Sequence, residues 1–290
     1  MGKIALGVFI ATLASSVLSV GFAGLAGEAG FIRLAQAAEA KYSKSGSTGK
    51  SEVQSYTIEE SFAAENFKEL AITSITTDIR ITPSTDGKIH LRYSYKTFDV
   101  PKTREEILGI IWKPEGSEAR FQLDQSAGDE RSWKAKLAEL VKLGFRADDA
   151  KAEIKLPPSI LKVQFKSVSG DFKTEDIKLQ SLEATTVSGD VDVEGQIHQL
   201  KGKSVSGDLE FKSELASPQV EFSTTSGDME VEFKKIEPNI NVSFETTSGS
   251  MKSINQRLQG NVKEHLLGQG VGQVKLKSVS GDVEISVDKF

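Results

Sequence analysis

The second half of this chain writes one phrase six times: a Ser/Thr-rich run, then Ser-Gly, then Asp in five of the six copies, then a hydrophobic residue. The glycines are Gly170, Gly189, Gly207, Gly227, Gly249 and Gly281, separated by 19, 18, 20, 22 and 32 residues. A period this short holds one supersecondary unit, and such units bury their apolar faces only by stacking on neighbours. The unit that fits is a single coil of a β-solenoid.

Before each corner, apolar and polar residues alternate, as at Val163 and Phe165, Val220 and Phe222, Val242 and Phe244, and Val274 and Leu276. Alternation resumes after it, at Val191 and Val193, Leu209 and Phe211, Met229 and Val231, and Val283 and Ile285. A period of two marks a strand with one buried face. The two halves do not share parity: Phe165 to Phe172, Ala184 to Val191, Phe222 to Met229, Phe244 to Met251 and Leu276 to Val283 are odd steps of seven residues. An uninterrupted strand would turn the second set towards water. A corner at Ser-Gly-Asp must therefore reset the pleat, and a glycine at positive φ is expected to make it.

The same template fits Leu70 and Ile72 before Thr77-Asp78, with Ile79 and Ile81 after. This reads as a degenerate first coil, atypical because terminal repeats lack a neighbour on one side. Leu91, Tyr93 and Tyr95 then lie on the next strand. Around 102–157 the pattern breaks. Leu108, Ile110 and Trp112 read as one strand, Phe121 and Leu123 as another, and Trp133, Leu137, Leu140, Val141 and Leu143 as an amphipathic helix that covers an open face. Gly268-Gln269-Gly270-Val271-Gly272 lacks the spacing and the strand-to-helix turn of a nucleotide-binding fingerprint, so it reads as a loop closing onto the last strand.

The amino terminus sets the compartment. Ile4 to Leu25 is free of charge and long enough to cross a hydrocarbon core as a helix, and Lys3 favours a cytoplasmic start. Residues 1–37 are thus an anchor with the rest of the chain outside the cell membrane, or, in the competing reading, a signal segment cleaved after Ala35-Gln36-Ala37 and followed by secretion. Residues 38–56 read as a flexible tether, and 57–290 as the extracytoplasmic solenoid with an insertion at 102–150.

A net charge of −5 gives no electrostatic footprint for nucleic acid. The absence of cysteine removes disulfides, thiolate metal sites and cysteine nucleophiles. His90, His198 and His265 show no metal-ligand spacing, and no nucleophile-elbow motif occurs, so no catalytic constellation emerges. The recurrent polar residues have structural roles in the first instance. Columns of Ser167, Thr186, Ser204, Thr224, Thr246 and Ser278 satisfy one another and the corner backbone. Asp171, Asp190, Asp208, Asp228 and Asp282 would form a like-charge column, and each is expected to accept amide hydrogen bonds at its own corner. The alternatives are a row of Ca²⁺ ligands, or acid/base chemistry on an envelope polysaccharide by a hydrolase or lyase. No other cofactor is expected.

The Ser-Val-Ser-Gly-Asp phrase, the Asp78-Ile79-Arg80-Ile81-Thr82-Pro83 segment, the Ile154-Lys155-Leu156-Pro157 entry and the Gly-rich loop before Ser278 together resemble the bacterial putative-adhesin β-solenoid family of unknown function. The resemblance covers roughly 57–290. It implies an all-β solenoid of stacked coils and supplies no catalytic residues. With the inserted helix and the N-terminal transmembrane helix, the chain reads as a binding or scaffold protein of the bacterial envelope. Its expected partners are the membrane, an envelope protein or a cell-wall polymer.

Overall fold

The computed structural model describes residues 54–97, 108, 111–123, 150–253, 256–259 and 262–288. The expected anchor, most of the tether and the helix at 133–145 lie outside the described residues. Among the described residues, no helix is long and apolar enough to cross a membrane.

Alternation of apolar and polar side chains produces strands throughout. The first are β1 (Gln54–Ala63), β2 (Glu69–Thr73), β3 (Asp78–Pro83), β4 (Lys88–Thr97), β5 (Glu118–Gln122) and β6 (Lys151–Leu156). The first four repeats supply β7 (Lys162–Lys166), β8 (Phe172–Thr185), β9 (Val191–Lys203), β10 (Leu209–Ser213), β11 (Gln219–Thr224) and β12 (Met229–Lys234). The chain closes with β13 (Ile240–Ser248), β14 (Ser250–Ser253), β15 (Gln256–Gln259), β16 (Val262–Leu267), β17 (Gly272–Ser280) and β18 (Val283–Asp288).

These strands stack into two parallel walls joined by the corners. The first wall runs β5, β2, β7, the second half of β8, the second half of β9, β11, β17, β13. The second runs β6, β3, the first half of β8, the first half of β9, β10, β12, β18, β14. Antiparallel strands close both ends: β4 on β6, and β16 and β15 on β13 and β14.

Two insertions break the chain order. The coil β2–β3 lies between β5–β6 and β7–β8, so the expected terminal coil is an interior one. The C-terminal pair β17–β18 lies between β11–β12 and β13–β14. The 32-residue spacing before Gly281 is accounted for by β15 and β16, which run back antiparallel along β14 and β13 before the chain enters β17. The region read as an interruption likewise contributes a coil through β5 and β6. Of the strand expected at Leu108, Ile110 and Trp112, Leu108 and Ile111 are helical, with the Trp112 amide on the Leu108 carbonyl at 3.0 Å, Trp112 makes a single antiparallel bridge to Phe121, and Ile110 lies outside the described residues. The apolar residues at 108, 111 and 112 follow the helical spacing of three and four. The last residues of the expected tether, 54–56, already belong to β1.

The core is two facing columns. Phe121, Ile72, Phe165, Ala184, Phe222, Leu276 and Phe244 line the first wall, and Ala152, Ile79, Phe172, Val191, Leu209, Met229, Val283 and Met251 the second, all buried. Phe165 stacks on Phe172 across the corner with ring centroids 4.5 Å apart, a geometry aromatic pairs favour. At the Phe222 level the neighbouring coil carries Gly202, where a Cβ would stand 2.8 Å from the Phe222 ring. The large ring is fitted by a missing side chain next door.

Candidate functional site

The recurrent glycines stack in one edge, in the order Gly170, Gly189, Gly207, Gly227, Gly281, Gly249, with Thr77 before the first. None of the six has a positive φ, which corrects the expectation from sequence. Close approach is what excludes a side chain. A Cβ at Gly189 would lie 2.2 Å from the Gly170 carbonyl oxygen, and one at Gly207 2.1 Å from that of Gly189. The same overlap, at 2.1–2.2 Å, repeats at the other four glycines. Each corner presses on the backbone of the one below it.

Hydroxyls hold the corners from inside. The amides of Gly170, Gly189 and Gly207 donate to Ser167 Oγ, Thr186 Oγ1 and Ser204 Oγ at 3.0, 3.0 and 2.7 Å. Thr224, Ser278 and Thr246, adjacent at the later corners, are buried without a hydrogen-bond partner for the hydroxyl. The aspartates bond between coils and not at their own corners, a second correction. The amide of Asp190 donates to Asp171 Oδ1 at 2.9 Å, that of Asp208 to Asp190, of Asp228 to Asp208, of Asp282 to Asp228, and of Ser250 to Asp282. Asp78 extends the ladder to the interior coil by accepting from Asp171 at 3.2 Å. One carboxylate oxygen per coil is thus committed to the next coil's backbone, which offsets the repulsion along the column. Lys277 pairs with Glu245 at 2.9 Å, away from this column.

Carboxylates also gather on the outer face of the second wall. Parallel register places Asp192, Glu210, Glu230 and Glu284 on consecutive rungs, between Lys173 at one end and Lys252 at the other. Glu210, Glu230 and Glu232 bring one oxygen each within 4.8 Å of the others, as do Asp176, Glu194 and Glu214. Burial first, and then Glu210 and Glu284, push the Glu230 carboxyl above its ordinary range. Lysines already serve both groups: Lys212 meets Glu210 at 2.7 Å, and Lys234 pairs with Glu194. A cation ligated there would share carboxylates that already carry an ammonium partner.

Two further constellations escaped the sequence reading. Ser61 Oγ lies 2.8 Å from His90 Nδ1, and His90 Nε2 lies 2.8 Å from Asp86 Oδ1. Asp86 also accepts from Ser84 Oγ at 2.8 Å, and these bonds, His90 first, hold its carboxyl well below the usual range. Ser61 and Asp86 are exposed. The second is a shallow groove of about 280 Å³ on the first wall, lined by the side chains of Ser181, Gln199, Gln219 and Gln273 with Glu183, Lys201, Glu221 and Lys275, where the strands pass the core residues Leu200 and Val220. The groove is not a local motif, because its members come from strands far apart in the chain; in the other cluster Asp86 and His90 are sequence neighbours and only Ser61, on β1, is distant.

Comparison with solved structures finds proteins of low identity. A putative cell adhesion protein from Clostridium sporogenes is 13% identical, with a TM-score of 0.46 over 81% of this chain and 100% of its own. A putative adhesin from Bacteroides fragilis is 16% identical, with a TM-score of 0.41 over 79% and 97%. No curated protein matches this chain. The model of the Toastrack DUF4097 family matches residues 119–286, more than half of the sequence and most of the repeats. This chain belongs to the Toastrack DUF4097 family.

Proposed function

We propose that this protein is a membrane-tethered binding or scaffold module on the outer side of the bacterial cell membrane, with an envelope protein or a cell-wall polymer as its partner. The observation that carries this reading is the pair of continuous walls, whose outward side chains line up rung after rung along the stack. Such ladders present extended surfaces by construction, and a tether holds them near the wall. The uncharged run at Ile4 to Leu25 makes the chain similar to LiaG, the membrane-anchored protein encoded with envelope-stress genes. Full-length protein is expected to sediment with membranes, to lose its C-terminal body to protease added outside spheroplasts, and to co-sediment with purified wall sacculi or an envelope membrane protein. Protection of that body from external protease would overturn the topology.

A second reading, an exported hydrolase, draws support from Ser61, His90 and Asp86, which stand in nucleophile, base and orienting order. The Ser61 hydroxyl would attack an ester carbonyl and pass its proton to His90 Nδ1, which would return it to the departing alcohol as the ester bond breaks, leaving an acyl-Ser61 for water to hydrolyse. A fluorophosphonate probe should then modify Ser61 in the wild type and fail in His90→Ala. No label at Ser61 removes this reading. The Asp corner column favours no hydrolase or lyase pair, because its members are bonded alike.

A further inference from the structure

We propose that the groove on the first wall binds an uncharged, hydroxyl-rich polymer, a glycan strand, lying along the stack; this rests on the binding reading above and names its site and ligand class. Gln199, Gln219 and Gln273 occupy one register position on three successive strands, followed by Asn241 on the next. All four are exposed, and the three glutamine side chains have no hydrogen-bond partner among the described residues. Each amide offers two donors and an acceptor, the complement of a sugar hydroxyl, and the rungs repeat at about 4.8 Å.

The surroundings select against other occupants. Glu183 and Glu221 balance Lys201 and Lys275 within the groove, so neither a polyanion nor a polycation gains from it. An extended peptide would need a free sheet edge, yet β9, β11 and β17 are each paired on both sides. Only side chains can read a ligand there. Leu200 and Val220 beneath it face the core, and no aromatic platform lines the groove, so recognition rests on the amides and affinity accumulates over several rungs.

Calorimetric titration of the full-length chain, in a detergent without a sugar headgroup, tests this with neutral hexasaccharides of β-linked N-acetylglucosamine and of β-linked glucose. At least one should bind, with affinity changing less than about twofold between about 50 and about 500 mM salt, because no charges are matched. Joint substitution Gln199→Ala, Gln219→Ala and Gln273→Ala should weaken it by about tenfold or more, as three lost hydrogen bonds require. Its melting temperature should be unchanged, since all three side chains are exposed. Failure of both sugars to bind, a steep salt dependence, or wild-type affinity in the triple variant overturns the proposal. Sacculus co-sedimentation separates the two levels: if wild type and triple variant sediment equally, the groove fails and the envelope-binding reading stands; loss in the triple variant alone supports both, and failure of the wild type itself to sediment, together with no membrane-protein partner, removes both.

Discussion

At each corner the distance between one glycine and the carbonyl below it leaves no room for a methyl group, and this separates two explanations of the repeat. If positive φ were the reason, asparagine would be tolerated, since it visits that region more readily than other residues. Close contact makes no such exception. Gly207→Ala and Gly207→Asn should both destabilise by on the order of 3 kcal/mol or more, and to a similar degree, read from chemical unfolding midpoints. Asp208→Asn keeps an acceptor for the Asp228 amide and should cost well under about 1 kcal/mol, whereas Asp208→Ala removes it and should cost about 1 kcal/mol. Glu230 gives a pH-dependent counterpart. Its raised folded-state carboxyl contributes stability below the unfolded value that is lost as pH rises through the folded one. Glu230→Gln should therefore raise the melting temperature at pH 7 and leave it nearly unchanged in acid; equal shifts at both would contradict the assignment. The sequence marked the glycine positions correctly, because only a steric rule repeats so strictly. It could not show which steric rule, because the obstructing atom belongs to another coil.

At the scale of the element, the C-terminal coil has an unusual position. β17 makes parallel ladders with both β11 and β13, and β18 with both β12 and β14. Removing a terminal repeat from an ordinary array costs one interface. Truncation after Leu267 here removes an interior coil, so hydrogen exchange should accelerate through β11 to β14 together. Protection retained in β13 and β14 would argue against the insertion. The strands themselves were legible, since the buried positions of β7 and of β10 to β14 alternate as the apolar residues do, and those of β8 and β9 alternate in stretches separated by breaks. Their order was not. Every copy carries the same phrase in the same parity, so any stacking sequence satisfies the pattern, and only side-chain fits such as Phe222 over Gly202 favour one neighbour over another.

The whole molecule is read as a surface and not as a cleft. Its rows of polar side chains extend across coils, and this is why the groove was invisible in a linear text; Asp86 and His90 stand close in the chain, but Ser61 is brought to them from β1 by the fold. The corner carboxylates bond to amides, so circular dichroism of the full-length chain should keep its β signal in EDTA; loss of that signal would assign the Asp column to Ca²⁺. The order of the stack underlies all of these arguments, and the absence of native cysteine makes it directly measurable. Lys275 is the register partner of both Glu221 and Ser243, which places those two residues on opposite sides of it. Neighbouring rungs are about 4.8 Å apart and alternate rungs about twice that, beyond the reach of a disulfide. Oxidation of Glu221→Cys with Lys275→Cys should give an intramolecular cross-link, and Glu221→Cys with Ser243→Cys should give none. The opposite pair of results would mean that the coils stack in chain order.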